Sequence, residues 1–282
     1  MNTFFITGAT GNIGKLVVQE LLNKGHHVKA AILSGESLPH HQQLELIEFD
    51  FTKPETWKPA LDQVDRVFLM RPPHIANIKR DMLPFLRYLK DSTCTQTVFM
   101  SVQGADKNPW VPHRKVELAL HELAIPHSLL RPSFFMQNLT TTHLPEIRDE
   151  NQLMIPAGKG KTNFIDGFDI ACCAAEILLK PNLHNKAYTV TGLQSYSYQE
   201  IADKLSQVLG RTITYKNPGA LGFLAYHRKK RALGMSLVML ALYSIVKLGK
   251  GDITTTDTEI ILQRKPKDLT TFLLDHRHLF FN

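Results

Sequence analysis

Apolar positions in the first half of the chain alternate between short continuous runs and longer stretches with helical spacing. The short runs predict strands at residues 4–6, 28–33, 44–49, 67–70, 97–101 and 128–130. The periodic stretches between them predict helices at residues 13–22, 52–61, 75–89 and 115–123, with Pro84 kinking the third. Strands that alternate with helices in this way predict an α/β fold with a parallel, doubly wound sheet.

The second half is predicted to be mostly helical. Helices are expected at residues 170–179, 198–209, 221–232, 237–246, 256–262 and 269–274, and short strands at 187–190 and 213–215. Ser197 and Glu200 have capping-box spacing at the start of one helix, and Gly210 is a stop signal at its end. We therefore expect a Rossmann domain over residues 1–150. Residues 151–282 are expected to form a smaller lobe packed on the sheet, with some segments returning to that sheet.

The first strand is followed by three glycines and then a helix. Gly8, Gly11 and Gly14 fall at every third position, between the apolar run at 4–6 and the helical periodicity that begins at Ile13. A dinucleotide site needs this order, because a tight turn must bring backbone close to a pyrophosphate at a helix N-terminus. The sequence therefore predicts a nucleotide-binding turn. Its predicted contacts are Gly8, Thr10, Gly11, Asn12 and Ile13.

The other predicted strands should end at the same edge of the sheet, where ligands of doubly wound folds bind. The remaining candidate cofactor-binding residues follow those strands and are Ser34, Asp50, Phe51, Met70, Arg71, Pro72, Ser101, Val102, Gln103, Ser133 and Phe134. Two of them have alternative interpretations. Asp50 fits an adenine contact or a helix-entry cap equally well, and Arg71 fits a phosphate contact or a surface arginine.

The end of the second strand bears on the choice between NAD and NADP. NAD sites place an acid there for the ribose hydroxyls, and NADP sites place a basic residue. No acid stands at the strand tip itself. Ser34 is a candidate phosphate contact, with Lys29, His40 or His41 as possible cations, whereas Glu36 is a candidate ribose contact. NADP is therefore weakly favoured, and NAD stays open.

Composition narrows the choice of partners. The chain has 282 residues, 43% of them apolar, a net charge of +7 and three cysteines without metal-ligand spacing. We expect no bound metal, a reduced, cytoplasmic location and an anionic ligand rather than a nucleic acid. The basic run at 227–231 is interpreted as a solvated helix face. The longest apolar run, 235–246, is too short to span a bilayer, so no membrane role is expected.

Several motifs together resemble the NmrA-like family of atypical short-chain dehydrogenases. The motifs are Thr7-Gly8-Ala9-Thr10-Gly11, Ser101-Val102-Gln103-Gly104-Ala105, Glu117, Leu130-Arg131-Pro132 with Phe134-x-Met136-x-Asn138, Asp169-Ile170-Ala171, and Lys186 to Gly192. The resemblance implies an NAD(P)-binding Rossmann domain, with Asp50-Phe51 as the adenine-contacting pair. Family members include quinone, dye and isoflavone-type reductases and also dinucleotide sensors. This chain departs from the family pattern at Leu33, where an arginine often stands.

Catalysis in this chain must differ from that of ordinary short-chain dehydrogenases, which use Ser, Tyr and Lys. No tyrosine lies between Ser101 and Tyr188, so the usual acid is missing from its place. The candidate catalytic residues are His113, Lys115 and Ser101. His113 stands where related reductases carry a lysine, and it is either a proton donor or a helix-entry histidine. Lys115 is either a ribose ligand or a solvated helix residue.

Two functions fit a chain without the usual tyrosine. The first is an NAD(P)H-dependent reductase of a small planar acceptor such as a quinone, because hydride transfer to a quinone needs little acid catalysis. The second is a non-catalytic dinucleotide sensor that binds a protein partner. A sugar-nucleotide epimerase is disfavoured because that chemistry needs the tyrosine base. A monomer or a homodimer is expected.

Overall fold

The computed structural model describes residues 2–228 and 230–281. Its strands are β1 (Thr3–Ile6), β2 (His27–Ile32), β3 (Leu44–Glu48), β4 (Arg66–Met70), β5 (Gln96–Met100), β6 (His127–Leu130), β7 (Phe134–Phe135), β8 (Gln152–Met154), β9 (Lys161–Ile165), β10 (Ala187–Tyr188), β11 (Ser195–Ser197) and β12 (Thr214–Lys216). Its α-helices are α1 (Gly14–Asn23), α2 (Trp57–Leu61), α3 (Ile78–Asp81), α4 (Leu83–Lys90), α5 (Pro112–Glu122), α6 (Gln137–Thr140), α7 (Leu144–Glu150), α8 (Gly167–Leu179), α9 (Tyr198–Leu209), α10 (Ala220–His227), α11 (Leu233–Lys247), α12 (Asp257–Leu262) and α13 (Leu269–Asp275).

Six strands of the N-terminal half and β10 from the second half form a seven-stranded parallel sheet in the order β3-β2-β1-β4-β5-β6-β10. Side chains alternate between its two faces, as strand geometry requires. Phe5, Val67 and Phe99 pack with α2, α4 and α5 on one face, and α1 and α8 cover the other. The predicted doubly wound Rossmann fold is confirmed.

The described residues divide into two compact units whose segments alternate along the chain. The first unit contains residues up to 132, then 167–190 and 257–264; the second contains 133–166, 191–256 and 265 onward. The sequence predicts one boundary, between residues 150 and 151, with some later segments returning to the sheet. The later segments join the first unit because β10 extends the sheet beside β6 and α8 packs on β4, β5 and α1.

The second unit has small sheets and its own apolar core. One sheet has the order β11-β9-β7, and β12 pairs with β8. Helices α9, α11 and α13 contribute Leu205, Met239 and Phe272 to the core. The predicted capping box is present, since Ser197 and Glu200 exchange hydrogen bonds at the start of α9. Gly210 ends that helix with a φ of 69°, in the left-handed region that suits glycine.

Several helices begin or end at other residues than the sequence predicts. The helix expected at 75–89 is divided into α3 and α4, and Pro84 stands in the first turn of α4, where its missing N–H costs little. The helix expected at 52–61 begins later, as a 3-10 turn at Pro54–Thr56 that leads into α2. The helix expected at 221–232 ends at His227, and Lys229 lies outside the described residues.

Candidate functional site

The loop between β1 and α1 leaves its backbone open to solvent. Gly8, Gly11 and Asn12 are exposed, and Gly8 has a φ of +64°. The turn closes on itself, with the Gly11 N–H donating to the Gly8 carbonyl at 3.0 Å. Within the described range, no side chain caps α1 and its first turn carries no acid. Free N–H groups at a helix N-terminus suit an anion such as a pyrophosphate.

Gly14 is required by the close approach of the helix to this turn. A Cβ at Gly14 would lie 2.0 Å from the Gly8 carbonyl oxygen, and at Gly11 it would lie 3.2 Å from the same oxygen. Ile13 is buried beneath the turn. The third glycine therefore serves helix packing, and the exposed second glycine allows a ligand to approach the backbone.

The turn is also fastened to the neighbouring strand β4. The Thr7 hydroxyl accepts a hydrogen bond from the Met70 N–H at 2.7 Å and donates to the Phe68 carbonyl at 3.1 Å. The Met70 sulfur would lie 3.0 Å from a Cβ at Gly8. The Met70 side chain thus packs beside the glycine turn, and its predicted role as a cofactor contact stays a prediction.

A carboxylate from the second strand's loop reaches the same turn. Glu36 accepts a hydrogen bond from the Thr10 hydroxyl at 3.0 Å and one from the Leu33 N–H at 2.8 Å. Ser34 is exposed beside it. Lys29 is directed elsewhere, because its ammonium donates to the carbonyls of Pro59 and Asp62. The loop that follows β2 therefore presents an acid to the turn, four positions beyond the end of the strand.

Asp50 acts as a local cap after β3. Its carboxylate accepts hydrogen bonds from the Thr52 N–H at 2.8 Å and the Thr52 hydroxyl at 2.7 Å. Partial burial opposes ionisation, but these hydrogen bonds outweigh it and hold the pKa of Asp50 below its usual value. Phe51 is 5% exposed and packs edge-to-face on Phe49 and Phe85. Asp50 and Phe51 therefore follow β3, as the sequence predicts. Both side chains already contact other residues of the protein.

Arg71 folds back on the loop that follows β4. Its guanidinium donates to the carbonyls of Pro72, Pro73 and Ile75. Burial lowers the pKa of this arginine, and its Nε is buried without a hydrogen-bond partner among the described residues. The positive charge of Arg71 therefore acts on His113 and lowers the pKa of its imidazole.

His113 lies in the first turn of α5, against the ring of Phe99 at 6.2 Å between centroids. Burial and then the positive charge of Arg71 lower its pKa to about 4, and Glu117 opposes them more weakly. The imidazole is therefore neutral at pH 7. Lys115 is exposed two positions further on, and side chains two apart on a helix point in different directions.

The ends of β5 and β6 are closed by a buried charged network. Glu117 is 2% exposed and accepts hydrogen bonds from the Ser101 hydroxyl at 2.7 Å, from Arg131 through both oxygens at 2.8 and 2.9 Å, and from Arg114 at 3.0 Å. Burial would raise the pKa of Glu117, but the bonds from Arg131 and Ser101 outweigh it and lower that pKa. The Ser101 proton is thus committed to Glu117 and does not point to a ligand.

The backbone that follows β5 is tied to the end of β6. The Gln103 N–H donates to the Pro132 carbonyl at 3.0 Å, and the Val102 carbonyl accepts from the Ala105 N–H at 3.1 Å. The remaining two predicted residues belong to the second unit. Ser133 is buried and donates to Asn163 Oδ1 at 3.1 Å, while the ring of Phe134 packs against Phe164.

Sequence reasoning did not find the roles of Glu117 and Glu36. The family resemblance singles out Glu117 but assigns it no role. In the structure Glu117 is buried and accepts the hydrogen bonds that hold the charged network together. Glu36 is a candidate ribose contact from the sequence. Its hydrogen bond to Thr10, however, is not indicated by any pattern in the sequence. A second buried group, in which Glu146 lies near His143 and His227, was also missed. Such contacts join residues far apart in the chain.

The strand order and the glycine turn define the class as an α/β protein of the Rossmann type. The chain belongs to the NmrA-like family, whose model matches residues 1–221. It is 30% identical over 222 residues to the NAD(P)H azoreductase of Xenophilus azovorans, covering 74% of this chain and 75% of that protein.

Two solved structures have the same fold. The Citrobacter triphenylmethane reductase complexed with NADP(H) has a TM-score of 0.86 at 20% identity, covering 98% of this chain and 99% of the other. An NADPH-dependent quinone oxidoreductase from Escherichia coli has a TM-score of 0.86 at 18% identity, with the same coverage. Separately, among the residues that the structure describes, no helix is both long and apolar enough to cross a membrane.

Proposed function

We propose that this protein is an NAD(P)H-dependent reductase that transfers hydride to a small planar acceptor such as a quinone. The observation that carries the proposal is the glycine turn, with exposed backbone at Gly8, Gly11 and Asn12 in front of an uncapped helix N-terminus. Relatives named as an azoreductase, a dye reductase and a quinone oxidoreductase support this acceptor class. The nicotinamide would supply the hydride when bound.

The chain's own residues would bind and orient the dinucleotide rather than donate a proton. Ser101 is committed to Glu117, and His113 is neutral at pH 7. No tyrosine occurs between Ser101 and Tyr188. A quinone that accepts hydride becomes a hydroquinone anion, which takes its proton from water. Acceptors that need a strong general acid fit this site poorly.

The same lack of a proton donor favours one alternative. A dinucleotide sensor needs the open glycine turn and no catalytic group, and it would act through a protein partner. The two functions differ in turnover. Purified protein should oxidise NADPH in the presence of a panel of quinones and dyes if the reductase proposal holds. Tight binding of NADP⁺ or NADPH without oxidation by any acceptor would favour the sensor.

The glycine turn itself is tested by Gly11→Val. NADP(H) should raise the melting temperature of the native protein by mass action, and the variant should lose that rise because its side chain blocks the backbone. Gly219→Val is a matched control, since a Cβ at Gly219 meets nothing within 4 Å. An undiminished shift in Gly11→Val would place the cofactor elsewhere.

We propose a modest preference for NADP(H), below about tenfold or 1.4 kcal/mol. Structures of related fold that carry NADP(H) support NADP, whereas the carboxylate of Glu36 beside Thr10 opposes a 2′-phosphate. Calorimetric affinities for both cofactors test this balance. Glu36→Gln should shift the ratio further toward NADP, and a strong NAD preference that survives this change would contradict the proposal.

A cytoplasmic location is retained as part of the proposal, and the free state of the described cysteines Cys94, Cys172 and Cys173 supports it.

A further inference from the structure

The positive charge of the chain is concentrated in one segment. Residues 204–251 contain nine lysines and arginines and no aspartate or glutamate across 48 positions. The rest of the chain holds the other 24 basic residues against 26 acids, so the net charge of +7 comes entirely from this segment. Helices α10 and α11 lie within it.

Helix α11 is apolar on the side that faces solvent. Ser236, Met239, Tyr243 and Val246 form its buried side. The opposite side carries Gly234, Val238, Ala241, Ile245 and the capping residue Leu248, all exposed and all without a polar side chain. This spacing of three and four positions makes one continuous stripe. At 1.5 Å per residue the 15-residue helix is about 22 Å long.

The stripe is flanked by further exposed apolar side chains. Leu233, Leu237 and Leu242 are 64%, 49% and 44% exposed along α11, and Val238 and Leu248 on the stripe are 56% and 71% exposed. Scattered apolar residues need no explanation, but a contiguous patch of this kind marks a surface that binds something.

Cations stand at both ends of this helix. Arg228 precedes it, Lys247 is its last residue and Lys250 follows it; all three are exposed, and none is in an ion pair with a described residue. Two neighbouring cations are engaged instead, because Lys230 pairs with Glu150 and Arg231 with Glu146. Three cations without an ion-pair partner among the described residues therefore flank the apolar stripe.

We propose that α11 is an interfacial element that lays its apolar stripe into an anionic lipid surface while Arg228, Lys247 and Lys250 contact the headgroups. Apolar insertion and headgroup attraction are the two terms that bind a helix lying in a bilayer interface. This departs from the expectation of no membrane role, and it concerns surface attachment, since α11 is too short to span. It does not depend on the proposed reductase activity.

Charge argues against the two other occupants of such a patch. If two copies paired through antiparallel α11 helices, the Arg228 end of one would meet the Lys250 end of the other, and the segment has no acid to relieve the repulsion. A nucleic acid would bind the cations but would leave the apolar stripe in water. An anionic lipid surface satisfies both features.

The experiment is cosedimentation of the full-length protein with vesicles of phosphatidylcholine, with or without phosphatidylglycerol. Binding to the anionic vesicles is expected, with little binding to the neutral ones. The double variant Arg228→Glu/Lys250→Glu should weaken partitioning by about tenfold or more. The matched control Lys58→Glu/Lys90→Glu makes the same charge change at exposed lysines of the first unit and should bind as the native protein does.

The apolar term is tested separately. Val238→Ser/Ile245→Ser should also lose most vesicle binding, with its melting temperature unchanged because both positions are exposed. Val238→Trp, made in a Trp110→Phe background, should be quenched by lipids brominated in their acyl chains, which reports insertion. The background change removes the 85%-exposed Trp110 signal.

Several results would overturn the proposal. One is binding that the serine variant retains in full, since it would be purely electrostatic. Another is a native dimer that does not bind vesicles and that Val238→Ser/Ile245→Ser converts to a monomer, which would make the stripe a self-interface. A third is binding to duplex DNA, but not to vesicles, that the serine variant leaves unchanged.

Discussion

Two places at the same edge of the sheet, one after β1 and the other after β5 and β6, differ in whether their polar groups are open to a ligand. After β1, the glycine turn exposes backbone at Gly8 and Gly11, and no described side chain occupies the helix N-terminus behind them. After β5 and β6, by contrast, Glu117 collects hydrogen bonds from Ser101, Arg114 and Arg131 and is buried. The first end is open for an anionic ligand, and the second is closed by the protein's own charges.

The two places also differ in the kind of residue they concern, because the glycine turn is a candidate for binding and Ser101 is a candidate for catalysis. Ordinary short-chain dehydrogenases use a serine, a tyrosine and a lysine for catalysis. Here the serine is retained, but its proton is directed at Glu117, and the tyrosine is absent. The glycine turn is therefore open to solvent, whereas the hydroxyl of Ser101 is held in a hydrogen bond within the protein. Under the proposed reductase function, this arrangement would suit acceptors that need only hydride.

The largest expected effect is at the open end. In Gly14→Ala the new Cβ would lie 2.0 Å from the Gly8 carbonyl oxygen, so the turn and α1 must separate. We expect the free energy of unfolding to fall by about 2–4 kcal/mol and the thermal shift with NADP(H) to disappear. Urea titrations with and without cofactor measure both.

Gly234→Ala is the control for that change, because a Cβ at Gly234 meets nothing within 4 Å and alanine favours a helix. It should leave stability unchanged or raise it. If Gly14→Ala behaves in the same way, the close approach of α1 to the turn does not limit this site.

The second effect, which concerns stability alone, is expected when the closed end is opened by Glu117→Gln. Arg131 and Arg114 would lose their buried counter-charge, at a cost of about 2–4 kcal/mol in unfolding free energy. Glu176→Gln is the control, since its partners Lys24 and Lys180 are 38% and 47% exposed and such pairs contribute about 0–1 kcal/mol. Chemical denaturation at pH 7 compares the two variants, and equal losses would mean that the network is not especially stabilising.

The same network predicts a direction for the pH dependence of stability. The pKa of Glu117 is lower in the folded protein than its unfolded value near 4.5, so its contribution is complete above that pH. It is lost as the pH falls through the folded pKa. The stability difference between native protein and Glu117→Gln should therefore shrink in acid. A difference that stays constant down to pH 3 would contradict this linkage.

The smallest effect is expected at His113. Because its pKa is lowered to about 4, the imidazole is neutral between pH 5 and 8 and is a poor proton donor. His113→Ala should keep kcat within a few fold and change mainly KM. The native pH profile should show no loss of activity near pH 6.5. A fall in kcat of about 10²-fold with unchanged NADPH affinity would instead identify His113 as a catalytic acid.

The sequence by itself determined the fold class and the location of the glycine turn between the first strand and the first helix. Apolar runs, helical spacing and the three glycines are local patterns, and each one is set by the geometry of a few consecutive residues. The capping box at Ser197 and the stop at Gly210 were predictable for the same reason. The resemblance in motif order was sufficient to identify the family.

Tertiary structure alone decided which site residues are free and which are engaged. Ser101 meets Glu117 across 16 positions and Thr10 meets Glu36 across 26, and neither contact has a periodic signal. The depressed pKa of His113 also depends on burial beside Arg71, which lies 42 positions earlier in the chain. Local pattern specifies backbone shape, but side-chain pairing and burial depend on segments that meet only when the sheet has formed.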